Sequence, residues 1–302
     1  MVVATVRDLL HQREVALEVI VVDDGSRDGT SAAIAALTQP GVRLVRHTRA
    51  LGQSAARDSG VAAATAEWVA FLDDDDRWAP DKLRRQLDVA AAADADFVYT
   101  AAVTTDSAGR VREYLEAPDP EALRQRIRAR NVIPAGSSNV LARTSLLRRV
   151  GGFDPELTHL ADWDLWIRLA EAGRAAACPE ALVAYVLHDG NIHLAQSQLS
   201  AEARHLKAKH AESTLPGQLD RADLDAWAAW ASLRRGHELT AAGQFALAAL
   251  RGRRPGYLPA MVSALLRRAR LRAPKEVHLA PPDWLAGAPA NPLVHGREDQ
   301  RD

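Results

Sequence analysis

The residues best suited to do chemistry lie in one run, Phe71-Leu72-Asp73-Asp74-Asp75-Asp76-Arg77-Trp78. The apolar stretch Trp68-Val69-Ala70-Phe71-Leu72 reads as a buried strand, and four consecutive carboxylates end it. Crowded carboxylates repel one another and are costly to desolvate unless a cation neutralises them. Asp73 and Asp75 are two apart at a strand end and point the same way. Two oxygen ligands on one side suit a hard divalent ion such as Mg²⁺ or Mn²⁺, which completes its shell with waters and phosphate oxygens. The alternative reading is a solvated acidic turn, where Asp is common.

Three further blocks share this character. Glu18-Val19-Ile20-Val21-Val22-Asp23-Asp24-Gly25-Ser26 is a second apolar strand ending in paired Asp and a turn, with Asp28 or Thr30 placed to cap a helix over Ser31–Leu37. Leu51-Gly52-Gln53-Ser54-Ala55-Ala56-Arg57-Asp58-Ser59-Gly60 opens a helix, and Gly52 permits its start to lie close to a bound phosphate. Gly151-Gly152-Phe153-Asp154 precedes Ala161-Asp162-Trp163-Asp164-Leu165-Trp166-Ile167-Arg168-Leu169.

In this order the four blocks resemble the inverting family 2 glycosyltransferases of the GT-A fold, over about two thirds of the chain, from Thr5 to His210. The first strand end resembles that family's nucleotide site, and the Gly52–Gly60 helix its Gly…Ala-Arg-Asn-x-Gly helix. The Asp run resembles its Asp-x-Asp metal motif, and the Asp162 segment its Glu-Asp catalytic segment. The resemblance implies a nucleoside-diphosphate sugar as donor, uridine-linked, with Mg²⁺ or Mn²⁺ as cofactor. It implies that Asp23 and Asp24 hydrogen-bond the nucleoside and that Gly52 and Arg57 lie at the uracil or diphosphate. It makes Asp75 the direct metal ligand, with Asp73 beside it and nearer the ribose, and Asp74 a turn or donor-contacting group. His188, in a loop after a strand, is an implied third metal ligand, with His193 as its rival.

Inverting transfer is one in-line displacement, so it needs a base for the acceptor hydroxyl and charge stabilisation for the departing diphosphate. Asp162 and Asp164 are two apart and cannot share a helix face. Asp164 stands four residues before Arg168 and makes a ready surface pair, so the base is assigned to Asp162 and a structural role to Asp164. The competing role for Asp162 is the N-cap of its own helix. Two departures stand out: Ala161 replaces the family's Glu, and Asp58 its commoner Asn.

These groups need a scaffold. Strands are expected at Glu18–Asp23, Val42–Arg46, Trp68–Leu72, Phe97–Val103, Ser138–Leu141 and Ala181–Val186. Helices are expected at Ser31–Leu37, Gln53–Ala64, Pro80–Ala92, Pro120–Arg130, Thr144–Arg149 and Asp162–Ala172. The alternation predicts an α/β fold, a GT-A-type doubly wound, mostly parallel sheet covered on both faces. Ligands then sit beyond the carboxyl ends of the strands, where Asp23, Asp24, Asp73 and Asp75 fall. Thr5–Gln12 resembles the helix after the family's first strand, which leaves Met1-Val2-Val3-Ala4 to replace that strand. A sheet short of an inner strand exposes its neighbours' backbone groups.

The organisation expected is a glycosyltransferase domain over residues 1–200, a helical extension over 201–280 and a loose Pro-rich tail over 281–302. From Leu239 to Lys275 there is no Asp or Glu and there are eight Lys or Arg. Apolar pairs such as Tyr257-Leu258 and Leu265-Leu266 recur there at helical spacing. That segment is either a packed helical hairpin or a basic amphipathic surface for an anionic membrane.

At 302 residues the chain holds one large domain plus an extension. A net charge of −1 gives no general attraction to nucleic acid. The lone Cys178 excludes an internal disulfide and fits a reducing, cytoplasmic location, peripheral to the membrane at most. No run approaches the about 18 apolar residues of a membrane span. The expected acceptor is a glycan, a lipid-linked glycan or a small molecule. Two other functions stay open: a nucleotidyltransferase, and a catalytically impaired nucleotide-sugar-binding module, which Ala161 favours.

Overall fold

The computed structural model describes residues 2–37, 40–106, 108–187, 196–234, 236–252, 255–268 and 279–286. The chain forms two units. The first holds residues 2–124, 132–187 and 279–286, and the second 125–131 and 196–268.

The first unit opens with helix α1 (Val2–Leu9), strand β1 (Val19–Asp23), α2 (Thr30–Ala35), β2 (Val42–Arg46) and α3 (Gln53–Ala63). The acidic turn separates the short strands β3 (Trp68–Ala70) and β4 (Arg77–Trp78), and α4 (Lys82–Ala93) follows. Next come β5 (Phe97–Asp106), β6 (Val111–Leu115), α5 (Pro120–Arg126), a 3₁₀ turn (Gly136–Asn139) and β7 (Leu141–Arg143). Helices α6 (Thr144–Arg149) and α7 (Ala161–Ala172) lead to β8 (Ala175–Leu187). The second unit carries α8 (Gln196–Lys209), α9 (Arg221–Arg234), α10 (Glu238–Arg251) and α11 (Leu258–Arg268).

The α/β class is as expected, but the sheet is mixed and comes in two pieces. Strands β1 and β2 pair in parallel as a two-stranded sheet. The other six form the order β3-β7-β5-β8-β4, with β6 beside β5. Only β5 and β8 pair in parallel there; β3–β7, β4–β8, β5–β6 and β5–β7 are antiparallel. The alternation of strand and helix does not foresee this, because several connections carry no crossover helix. A parallel pair needs such a crossover, whereas the tight return after Asp106, closed by Gly109 N–H to the Asp106 carbonyl at 2.9 Å, permits only an antiparallel neighbour. Among the described residues, β1 pairs with β2 alone and β3 with β7 alone.

Burial follows the number of partners. Every residue of β5 except its last is buried, as suits an apolar run with strands on both sides. Beside it, Ala79, Ala90, Val98, Cys178 and Leu182 form a core cluster, against which Trp68 and Trp284 pack. The expected loose tail is packed at its start: Leu285 is buried with Val103, Val111 and Ala184, and Trp284 Nε1 donates to the Ala181 carbonyl at 2.8 Å. Strand β8 runs longer than expected, from Ala175, because Cys178-Pro179-Glu180 is absorbed at register shifts against β5 instead of ending the strand. In the second unit, Ala229, Leu233, Ala241, Phe245 and Ala264 make a separate small core.

Candidate functional site

Four segments converge on the acidic turn. Asp73 N–H donates to Ser138 Oγ at 3.1 Å, and Asp76 N–H to the Asp73 carbonyl at 3.1 Å, so the turn is closed and tied to the 3₁₀ segment. Trp78 Nε1 donates to the Ser138 carbonyl at 2.7 Å. Asp76 is buried and accepts from Val186 N–H of β8 at 3.2 Å through Oδ1, while Oδ2 is buried without a hydrogen-bond partner. Desolvation first, and then the charges of Asp75 and Asp73, raise the Asp76 pKa well above the usual carboxylate value. Asp74 is raised in the same way, again mainly by desolvation, and its carbonyl accepts from Thr5 Oγ1 of α1 at 2.8 Å.

Arg57 of α3 reaches across to this cluster, with NH2 2.7 Å from Asp73 Oδ1. Its guanidinium also lies over the Phe153 ring, 5.3 Å from the centroid. Asp162 stands in the first turn of α7, whose N-cap is Leu160. The N-cap reading of Asp162 is therefore incorrect. Its carboxylate is crowded by protein, with Oδ1 accepting from Trp163 N–H at 2.7 Å and Oδ2 close above Gly136. Desolvation raises its pKa to about 6 against an opposing pull from Arg57. A carboxylate poised there is suited to take a proton near neutrality. Asp164 is fully buried and accepts from Arg168 Nε at 3.0 Å, which makes it structural.

Asp23 ends β1 and Asp24 follows it, but their oxygens face the chain's own donors. Asp23 is buried and accepts from Ser26 N–H at 2.8 Å and from Ser31 Oγ. Asp24 accepts from Leu51 N–H and Gly52 N–H, both at 2.8 Å, and lies 2.7 Å from His47 Nδ1. Gly52 (φ +97°) thus starts α3 with its N–H on Asp24, not turned to a ligand. In this geometry Asp23 closes the turn into α2, and Asp24 holds the loop before α3. His188 lies outside the described residues.

Sequence reasoning missed Ser138, read as the start of a strand, although its hydroxyl and carbonyl hold the acidic turn. It also missed the polar layer beneath. Lys82 is fully buried, its Nζ 3.8 Å from the Trp78 ring centroid and 2.8 Å from Gln86 Oε1, and burial lowers its pKa well below the usual lysine value. Gln86 Nε2 in turn donates to the Val98 and Asn139 carbonyls at 3.0 and 2.9 Å. Helical spacing in Lys82-x-x-x-Gln86 carries that signal only once both are known to be buried.

A metal is tested by the donor set. Among the described residues no three His, Cys, Asp or Glu side chains converge as a complete cage. The charges of Asp75 and Asp73 both act on buried Asp76, but Asp73 Oδ1 is held by Arg57, and the acidic turn does not by itself form a metal site.

Comparison with known proteins agrees with this architecture. Residues 1–151 match the family Glycosyl transferase family 2. The succinoglycan biosynthesis protein ExoO of Rhizobium meliloti is 34% identical over 63% of this chain and 58% of its own length. The chain spans about half to two thirds of the length of such curated relatives. Staphylococcus aureus TarS, solved with UDP-GlcNAc, superposes with a TM-score of 0.58 at 16% identity, over 74% of this chain and 66% of that one. A Pyrobaculum calidifontis mannosyltransferase, solved with GDP-Man and Mn²⁺, gives 0.54 at 24% identity, over 88% and 76%. Both neighbours share the GT-A fold. The chain belongs to glycosyl transferase family 2.

Proposed function

We propose that the protein transfers a sugar, with inversion, from a nucleoside-diphosphate sugar to a glycan or lipid-linked acceptor. The observation that carries this is Asp162, raised to about 6 by burial and near enough to Arg57 and Asp73 for both charges to act on it, with Arg57 2.7 Å from Asp73. In the reaction the acceptor oxygen bonds to the anomeric carbon as that carbon's bond to the diphosphate oxygen breaks. Asp162 takes the acceptor's proton. The nucleoside diphosphate leaves with the bonding electron pair, and Arg57 offsets its growing charge. Asp73 and Asp75 would hold Mg²⁺ or Mn²⁺, whose charge neutralises diphosphate oxygens when bound. Asp24 serves this site by fixing the Gly52 loop, and Asp23 by fixing the turn into α2. TarS and the mannosyltransferase were solved with a uridine and a guanosine donor, so the base is a matter for test; the uridine reading follows the family resemblance.

Calorimetry with UDP and with GDP, each with Mn²⁺ and again with chelator, tests the donor site. Micromolar UDP binding that weakens at least tenfold on chelation is expected. Equal binding with chelator would count against Asp73 and Asp75 as metal ligands, and no binding to either nucleotide would overturn the donor reading. Donor binding without turnover would favour the impaired binding module to which Ala161 points.

We propose further that the second unit contacts an anionic membrane. Leu250, Leu258, Val262 and Leu265 on α10 and α11 are all more than 40% exposed, and no acidic residue lies between Leu239 and Lys275. No helix among the described residues is long and apolar enough to cross a membrane. Flotation with phosphatidylglycerol vesicles is expected to carry the protein. Equal flotation with neutral vesicles, or none, would contradict an anionic contact.

A further inference from the structure

Helix α3 carries two adjacent residues that hold Phe153, one at its ring and one at its backbone. Arg57 lays its guanidinium over Phe153, 5.3 Å from the centroid, while keeping NH2 2.7 Å from Asp73. Asp58 Oδ1 accepts the backbone N–H of Phe153 at 2.8 Å. The other ring contact of Phe153 is Phe71, edge to face at 5.1 Å, and Phe71 stands two residues before Asp73. The Phe153 ring therefore touches the guanidinium end of the Arg57–Asp73 pair directly and meets Phe71 on the segment that leads to Asp73.

The loop that presents this ring is fixed rather than draped. Gly152 has φ +67°, and a Cβ there would overlap the Asp58 carboxylate. Only glycine lets the chain approach so closely with that backbone conformation. Ser54 Oγ, one turn earlier on α3, donates to the Leu157 carbonyl at 2.9 Å and fastens the same loop a second time. The loop then runs directly into α7 and Asp162. Phe153 itself is 2% exposed, so its ring cannot turn away without opening the core.

We propose that Phe153, anchored by Asp58, is a positioning residue that sets the Arg57 guanidinium against Asp73 before the donor arrives. A free arginine loses side-chain freedom when it binds a diphosphate. Here the aromatic face and the carboxylate restrict it in advance. Asp58 acts through the backbone of Phe153, not on the donor. The proposal rests on Arg57 being a donor-binding group.

The test is a double-variant cycle on UDP affinity with Mn²⁺, followed by calorimetry on the full chain. Phe153→Leu keeps an apolar side chain but removes the ring face, and is expected to weaken UDP binding about fivefold, the size of a partly buried cation–π contact. Asp58→Ala is expected to do the same, and Asp58→Asn, whose Oδ1 still accepts from Phe153 N–H, to bind within about twofold of wild type. Arg57→Lys keeps a charge without the planar group. Adding Phe153→Leu to Arg57→Lys is expected to weaken binding no further, because the pair acts as one unit. Multiplicative losses in the double variant would show that Phe153 merely supports the fold and would overturn the proposal. So would wild-type affinity in Phe153→Leu, which stays informative if Asp58→Ala fails to fold. Failure of the wild type to bind UDP would instead overturn the donor reading on which the proposal stands.

Discussion

Strands β1 and β5 are both apolar runs that end in aspartate, yet the protein treats them differently. In β5, nine of ten residues are buried, and three strands pair with it. In β1, Ile20, Val21 and Val22 are only half-buried, and β2 is the single partner among the described residues. Apolar content does not decide burial; the number of neighbouring strands and covering helices does. The difference runs through the candidate site. Asp76 is tied to β8 and Ser138 on the densely packed side. Asp23 and Asp24 extend from the thinner sheet and use their oxygens to hold it in shape. The candidate site thus draws on both: Arg57 comes from α3 against the two-stranded sheet, and buried Asp76 is tied to β8 of the larger one.

Core truncation should separate the halves most sharply. Phe97→Ala in β5 removes a fully buried ring and is expected to cost about 3–5 kcal/mol, whereas Val21→Ala in half-buried β1 should cost about 1 kcal/mol or less. Urea unfolding of both variants measures this, and similar losses would erase the distinction. Native-state hydrogen exchange should show the same contrast. Amides of β1 and β2 are expected to exchange at least about a hundredfold faster than those of β5 and β8. Uniform protection would mean that the two-stranded sheet is held by something other than its pairing.

A smaller effect concerns pH. The fold holds Asp162 at about 6 against an ordinary 3.8, so it favours the protonated acid. The associated stability is fully present below the unfolded value and is lost as pH rises through about 6. Asp162→Asn escapes that loss, and its melting temperature should gain on the wild type as pH rises from about 4 to about 6. Activity runs the other way, since the base must be ionised. The rate at low donor and acceptor concentrations should fall about tenfold per pH unit below 6. A profile flat to pH 5 would remove Asp162 from the base role.

Much of this was legible in the chain. The end of β1 at Asp23, the Arg57 helix and the Asp162 helix fall where expected, whereas β3 stops at Ala70, short of the expected Leu72. The Asp164–Arg168 pair followed from four-residue spacing alone. Strand direction was not legible, because periodicity carries no information on which way a neighbour runs. Nor was the inward use of the Asp24 oxygens, since an Asp beside Gly and Ser looks the same whether it faces a ligand or its own loop. Ser138 and Lys82 escaped for a related reason: their roles depend on segments about 60 residues away or on complete burial, and neither is written in local sequence.

The most direct test of the account is sugar transfer by Asp162→Asn and Asp164→Asn, measured beside UDP affinity with Mn²⁺. The account predicts that Asp162→Asn loses at least about a thousandfold in turnover while holding UDP within about twofold, because it removes the proton acceptor and leaves the diphosphate site intact. Asp164→Asn should melt lower, through its broken pair with Arg168, yet turn over when folded. An active Asp162→Asn beside a folded but inactive Asp164→Asn would contradict the assignment of the base.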